Sequence, residues 1–334
     1  MDGAPRFSVL IAAHNHTAYV VDTLESVARQ RWDDFELIVV DDGSTDDTAV
    51  RVSTWMESFR RARGVRAELC RIENRGQSRA LEHGFAVTQG EYICLLDSDD
   101  RWLEEKLGDV DLAISASPGA GMIVHPLYVI DSDGRRTGDV RPKRARLSQG
   151  DCREHLRQTG RHVAPATSGV VIRRDVLERL LPMPTAGFTF GADAYLTFGA
   201  TLQAPVVALA HPLGEYRVHA EGQFLRRMLS VEGLTRSIAL QRTIAAHFGL
   251  DEALLLRNSF FMRNVFALAK LEGTARSQVA AFRALASATA RDRSFSLPVR
   301  GALLAYWIAC LIAPEHGFRR LWSRFQVSHT GYAR

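Results

Sequence analysis

The sequence predicts an α/β protein: a mostly parallel sheet with flanking helices, followed by an α-helical C-terminal extension. Two observations predict it. In the first hundred residues, short apolar runs alternate with segments whose apolar residues recur at helical spacing, which is the order of a parallel sheet covered on both faces. After His219 almost no strand pattern is left, and helical spacing continues to the end of the chain.

The first run is Ser8-Val9-Leu10-Ile11-Ala12-Ala13. It passes through His14-Asn15-His16-Thr17 into a helix with Val20, Leu24, Val27 and Ala28 on one face. The second is Phe35-Glu36-Leu37-Ile38-Val39-Val40, which ends in Asp41-Asp42-Gly43-Ser44-Thr45-Asp46-Asp47-Thr48. Gly43 permits a tight turn, and Ser44 with Asp47 three residues on reads as a capping box. The helix after it carries Ala49, Val52, Met56 and Phe59 at helical spacing. Residues 7–102 thus read strand–helix–strand–helix–strand–helix–strand, with Arg101-Trp102 expected to begin the next helix.

The most informative run is Tyr92-Ile93-Cys94-Leu95-Leu96, which leads straight into Asp97, Asp99 and Asp100. A short continuous apolar run suits a strand buried on both faces. The carboxyl ends of such strands are where open α/β sheets bind ligands. Three packed carboxylates repel unless a cation holds them, and hard oxygen ligands suit Mg²⁺ or Mn²⁺ on a substrate phosphate. The plainer alternative is an acidic loop capping the next helix.

Ser8–Asn15, Asp41-Asp42-Gly43-Ser44-Thr45-Asp46, Asn74-Arg75-Gly76-Gln77-Ser78 and Leu96-Asp97-Ser98-Asp99-Asp100, in this order and spacing, resemble the family 2 glycosyltransferases. The resemblance extends more loosely to about residue 220. It implies a GT-A fold, Rossmann-like, and an inverting enzyme that uses a nucleotide-sugar donor. It further implies that Ala12, Ala13 and Asn15 lie against the nucleotide and that Asp42 accepts a hydrogen bond from the base. Arg75 and Arg79 then approach the nucleotide. Asp97, with Ser98, serves the donor, and Asp99 and Asp100 serve the metal, Mn²⁺ or Mg²⁺. Such a cation stabilises the departing diphosphate as a Lewis acid.

An inverting transfer also needs a base to take the acceptor proton. The resemblance places it at Asp193 in Gly191-Ala192-Asp193-Ala194-Tyr195-Leu196, after Phe188-Thr189-Phe190; the alternative is a helix N-terminal carboxylate complementing the dipole. Ala192 departs from the acidic residue common there in the family. Leu81 and Glu82 depart likewise, where many members have Arg and Asn. Ala166–Arg174 resembles the strand after the acceptor loop, with Ser168 and Gly169 expected to let an acceptor approach. Gly214-Glu215-Tyr216-Arg217-Val218-His219 resembles the segment closing the catalytic domain. There His219 is either a third metal ligand, imidazole being usable by Mn²⁺, or a partly buried structural histidine.

Composition agrees with a sizeable enzyme of 334 residues, 46% hydrophobic and 24% charged. The four cysteines, Cys70, Cys94, Cys152 and Cys310, show no zinc or redox spacing. Residues 1–6 are too short and polar for a signal peptide, so the expected setting is cytoplasmic. Asp133-Gly134 is expected to turn a hairpin, and Arg135 to Arg146 to form a basic loop facing an acceptor.

The expected domains are a catalytic one over 1–220 and a helical extension over 221–334, with helices at 224–249, 251–271, 275–290 and 297–312. Residues 220–334 hold sixteen Lys or Arg against seven Asp or Glu, a net of +9; the preceding residues hold 26 against 31, a net of −5. Within the extension, Gly301–Ala313 is apolar all round and too short to cross a bilayer. It is flanked by Arg300, Arg319, Arg320 and Arg324, with Trp307 and Trp322. It reads either as a buried core helix or as a helix lying peripherally on an anionic membrane at the inner face of the cell.

The reading is therefore a metal-dependent sugar transferase acting on a glycan, lipid-linked or small-molecule acceptor. Nucleic acid is not an expected partner, because no nucleic-acid motif accompanies the positive charge. A nucleotidyltransferase would want a glycine-rich basic phosphate loop, and residues 12–17 contain no Gly, Lys or Arg. A catalytically inactive nucleotide-sugar-binding protein is the third alternative; Asp97, Asp99 and Asp193, all in place, argue against it.

Overall fold

The structure, a computed structural model, describes residues 3–143, 146–184, 191–219, 230–292 and 295–330. Two compact units emerge: Met1–Arg153 with His162–His219, and Glu154–Arg161 with Ala220–Arg334. The second unit thus includes an early segment that a single boundary at residue 220 leaves in the first. That boundary, the run Phe188–Phe190, residues 144 and 145 of the basic segment, and the Arg324 side chain lie outside the described residues.

In the first unit the expected alternation is present. Strand β1 (Phe7–Ala13) is followed by α1 (Val20–Ala28), β2 (Phe35–Asp42), α2 (Thr48–Arg63), β3 (Ala67–Ile72), α3 (Gln77–Val87) and β4 (Tyr92–Asp97). Then come β5 (Arg101–Trp102), α4 (Lys106–Ala116), β6 (Met122–Val124), β7 (Leu127–Ile130), β8 (Arg136–Arg141) and, after helix α5 (Arg153–Thr159), which from Glu154 on belongs to the second unit, β9 (Val170–Arg173). The unit ends with α6 (Arg174–Glu178), α7 (Ala192–Gln203), β10 (Val206–Ala208) and β11 (Gly214–Arg217).

The main sheet has the order β10-β6-β9-β4-β1-β2-β3, and only β9 runs antiparallel to its neighbours. Strands β1, β2 and β4 are buried along nearly their whole length, which is why they read as mostly continuous apolar runs, broken by Ser8 in β1 and Glu36 in β2, rather than as alternating ones. Val20, Leu24, Val27, Val52, Met56 and Phe59 cover one face, as their helical spacing predicts.

Several local expectations are corrected. Arg101-Trp102 does not begin a helix. It pairs antiparallel with β11 in a second small sheet, β5-β11-β7-β8. Trp102 is 3% exposed and donates through Nε1 to the Ser168 carbonyl at 2.9 Å, so tertiary burial overrides local propensity. The Asp133-Gly134 turn does join β7 to β8, with Gly134 at φ 81°. The basic segment after it is largely strand β8 rather than a loop. The expected capping box at α2 does not form: the N-cap is Asp47, whose side chain makes no capping hydrogen bond, and the Asp46 carboxylate accepts from the backbone N–H of Thr48 at 2.9 Å and of Thr17 at 3.1 Å.

The second unit is helical: α8 (Val231–His247), α9 (Glu252–Arg257), α10 (Ser259–Glu272), α11 (Ala275–Arg291), α12 (Leu297–Ile312) and α13 (Glu315–Thr330). The helix expected over 251–271 breaks at Asn258, whose side chain accepts from Phe260 and Phe261 N–H and so caps α10. Phe261, Phe266, Leu285, Trp307, Phe318 and Trp322 form its core. The apolar segment 301–313 is buried along one side only, so the expected core helix holds for that side. Leu303, Trp307 and Cys310 are buried, while Ile308 is 50% and Ile312 77% exposed. Among the described residues no helix is long and apolar enough to cross a membrane.

Candidate active site

The site forms where β1, β2 and β4 end side by side. Ala12 lies in register with Asp97 on one neighbour and Val40 on the other, so the loops after these strands converge. Ala12 is half-buried and Ala13 is 1% exposed. Asn15 sits at φ 53°, a left-handed conformation that Asn tolerates better than most residues. Its side-chain oxygen accepts from the Thr45 N–H at 2.8 Å, and its own N–H donates to Ser44 Oγ at 3.0 Å. Asn15 therefore clamps the acidic turn after β2.

Asp42 is 4% exposed, and each of its oxygens holds a backbone N–H, Arg75 and Gly76, both at 2.8 Å. This fixes the loop entering α3, whose start needs Gly76 at φ 88°. Gly43 is equally required, since a Cβ there would lie 2.6 Å from the Asn74 nitrogen. Arg75 is exposed beside Glu73, and Arg79 pairs with Glu82. Glu82, one of the departures noted in the sequence, also accepts from the Met183 N–H at 2.5 Å. Ile72, Arg75, Arg79, Glu82 and His83 line a groove of about 620 Å³ next to this loop.

The loop after β4 carries the charge. Asp97 accepts from Gln77 Nε2 at 3.0 Å. Burial, then the charges of Asp99 and Asp193, push its carboxyl up to about 8. Burial pushes Asp99 the same way, but the hydrogen bond from His219 and the charges of His16 and His219 outweigh it and hold Asp99 below the usual range. His219 Nε2 lies 2.9 Å from Asp99 Oδ2, and His219 Nδ1 is buried without a hydrogen-bond partner among the described residues. His16 Nδ1 lies 2.7 Å from the Ser98 hydroxyl, and its backbone N–H donates to Thr48 Oγ1.

One ligand atom from each of His16, Asp99 and His219 can be chosen so that all three lie within 4.8 Å of one another. Two imidazoles and one carboxylate make a set that a transition ion such as Mn²⁺ accepts more readily than oxygen-seeking Mg²⁺. The residues present therefore fit a divalent cation. His16 was not singled out from the sequence; the signal available was an imidazole in a strand-end loop of the same sheet.

The expected ligand set needs correction at Asp100. It is 0% exposed, and its oxygens accept the Ser168 hydroxyl at 2.6 Å and the Arg217 N–H at 2.8 Å. It points into the protein and braces the loop. Ser168 and Gly169, expected to meet an acceptor, also lie inside. The Ser168 hydroxyl accepts from the Asp97 N–H at 3.1 Å, and its carbonyl accepts from Trp102 and from Lys106 Nζ at 3.0 Å. Lys106 is 0% exposed over the Trp102 ring, and burial lowers it to about 7. A Cβ on Gly169 would lie 2.5 Å from the His125 carbonyl, so its bareness serves the protein's own packing. Ser98 is 1% exposed and occupied with His16.

Arg217 closes the site from the small sheet. Its Nε donates to the Asp99 carbonyl at 2.7 Å, and its guanidinium pairs with Asp22 beneath Tyr19. Asp193 stands in the first turn of α7 behind Gly191 at φ 77°, and burial raises its carboxyl. Its charge contributes, after burial and Asp99, to raising the Asp97 carboxyl.

Comparisons with known proteins bear on the family and the fold. Residues 8–181, more than half of the chain, match the model of glycosyl transferase family 2. An uncharacterized glycosyltransferase of Nostoc sp. is 29% identical over 215 residues, covering 64% of this chain and 65% of that protein, so the chain spans just under two thirds of that relative. Among solved structures, Staphylococcus aureus TarS residues 1–349 in complex with UDP-GlcNAc superposes with a TM-score of 0.58 at 18% identity, over 98% of this chain and 93% of the other. A mannosyltransferase of Pyrobaculum calidifontis in complex with GDP-Man and Mn²⁺ superposes with a TM-score of 0.54 at 20% identity, over 99% and 89%. At these identities the structural likeness speaks for the GT-A fold alone. The family match, over more than half of the chain, shows that it belongs to glycosyl transferase family 2.

Proposed function

We propose that the protein moves a sugar from a nucleotide-sugar donor to an acceptor hydroxyl by a single displacement with inversion at the anomeric carbon. The observation that carries this reading is the gathering of His16, Asp99 and His219, one ligand atom of each within 4.8 Å of the others, beside the end of β4. A divalent cation held there supplies Lewis-acid stabilisation of the departing diphosphate. Mn²⁺ is the better fit to the donor set, and the mannosyltransferase neighbour is described with Mn²⁺. The chain's own residues do the rest. Asp42 holds the Arg75-Gly76 loop against the nucleotide, with Asn15 and Ala12 lining the opposite side. Arg75 and Arg79 sit where they can meet the donor's negative charge. Asp193, its carboxyl raised by burial, takes the acceptor proton as the acceptor oxygen attacks.

The donor class is the one named for the neighbours, a nucleoside diphosphate sugar. The acceptor is a glycan, lipid-linked or small molecule. A peripheral contact of the basic helical unit with an anionic membrane at its cytoplasmic face would bring the enzyme to a lipid-linked acceptor. A nucleotidyltransferase lacks support here, because the loop after β1 carries no phosphate-binding glycine or cation.

Asp193→Asn tests the base. The change is nearly isosteric, and the donor contacts lie elsewhere, so nucleotide-sugar affinity should stay unchanged by calorimetry. Transfer should fall by about a hundredfold or more, and the product of the parent enzyme should show inverted anomeric configuration by NMR. A normal transfer rate in the Asn variant would return Asp193 to a helix-capping role.

A further inference from the structure

Helix α12 is apolar on two opposite faces. Leu303, Trp307 and Cys310 enter the core of the helical unit against Phe266 and Trp322. The other face carries Leu297, Gly301, Leu304, Ala305, Ile308 and Ile312. These residues recur at helical spacing and fall in one stripe along the helix. Leu297 is 74%, Ile308 50% and Ile312 77% exposed. A surface helix ordinarily puts its charges on this side. Here α12 contains no acidic residue, and its single cation, Arg300, donates to the Ala290 carbonyl at 2.8 Å. The stripe is about 24 Å long at the usual helical rise, suited to lying along a surface rather than crossing one.

Charge identifies what covers it. Residues 273–330 hold eight arginines and only two acidic residues, Asp292 and Glu315. Both acids are neutralised locally, by Arg161 and by Arg319 at 2.8 Å. Arg276, Arg283, Arg291 and Arg320 are exposed and form no ion pair among the described residues. A second copy docked across a two-fold axis would set this basic unit against itself, which like charges oppose. An anionic bilayer answers both features, with acyl chains for the stripe and phosphate headgroups for the arginines.

We infer that the outer face of α12 is the surface by which this protein lies on an anionic membrane, with Leu297, Leu304, Ile308 and Ile312 entering the headgroup boundary. This names the surface for the membrane contact proposed above and does not depend on the transfer chemistry.

The test is co-sedimentation of the full chain with vesicles of phosphatidylglycerol and phosphatidylcholine, against vesicles of phosphatidylcholine alone. Binding should require the anionic lipid and weaken as salt rises. The double change Ile308→Glu with Ile312→Glu should lower vesicle affinity at least a hundredfold, about tenfold for each buried isoleucine lost. Arg291→Gln and Arg320→Gln should each cost about fivefold. Both isoleucines are exposed, so the double variant should melt like the parent, and its transfer to a soluble acceptor without vesicles should be unchanged. That last readout separates failure of the membrane surface from failure of the transferase reading. Absence of binding to either vesicle overturns the inference, as does binding that survives the double change. A dimer that the double variant dissolves would overturn it in favour of a copy-to-copy interface.

Discussion

Removing one hydroxyl, by Ser168→Ala, should unsettle the whole carboxylate loop. That oxygen donates to Asp100 at 2.6 Å and accepts from the Asp97 N–H at 3.1 Å, and Ser168 is fully buried. The variant leaves Asp100, 0% exposed, with only the Arg217 N–H, and leaves the Asp97 N–H without its acceptor. A hydrogen bond to a charged group contributes about 1.5–3 kcal/mol, and an orphaned buried donor costs about 1–3 kcal/mol. The two losses share one oxygen and overlap, so the expected cost is about 3 kcal/mol. For a unit of this size that is a drop of about 6–12 °C in melting temperature. The carbonyl of residue 168 still receives Trp102 and Lys106, so the change isolates the hydroxyl. Thermal melts of parent, Ser168→Ala, Asp100→Asn and the double variant form a cycle, in which a coupling of at least about 1 kcal/mol is expected for groups in contact. A Ser168→Ala melt within about 1 °C of the parent, or strict additivity in the cycle, would refute the bracing role assigned to Ser168 and Asp100.

Two further outcomes are expected. His16→Ala and Asp99→Ala should each weaken Mn²⁺-dependent binding of a nucleoside diphosphate by at least about tenfold, read as the melting shift that a chelator abolishes; a shift that persists undiminished in both variants would place the cation elsewhere. His162 lies against Thr197 Oγ1 at 3.1 Å and the Phe198 ring, and burial lowers it to about 4. The unfolded chain then binds a proton that the folded chain refuses, so this contribution to stability is present above pH ~6.5 and is lost as pH falls towards ~4. Urea unfolding of His162→Gln should show a shallower acid decline than the parent, with buried His125, lowered by the same cause, keeping the remainder; equal slopes would exclude His162.

The chain's own sequence determined the sheet that positions the site. Strands buried on both faces are predominantly apolar, and Phe7–Ala13, Phe35–Asp42 and Tyr92–Asp97 each carry such a run, with Ser8 and Glu36 hydrogen-bonded to each other inside it. The acids at their ends were visible for the same reason, since charges directly after such a run stand out at the strand-end crevice where ligands bind. What each polar group faces was decided by tertiary structure. Asp99 and Asp100 are neighbours in sequence, yet one reaches His219 and the other turns inward to Ser168 and the Arg217 N–H, because β11 arrives beside them from over a hundred residues away. His16 became a partner of Asp99 only through the convergence of two loops. Arg101-Trp102 became a strand because a distant edge was there to pair with it. The apolar segment 301–313 shows the same division: its composition is legible residue by residue, but which face meets the core and which stays bare depends on where Phe266 and Trp322 lie in space. Local sequence sets the period and propensity of an element, whereas the partner of a side chain is a long-range fact that only the packed chain supplies.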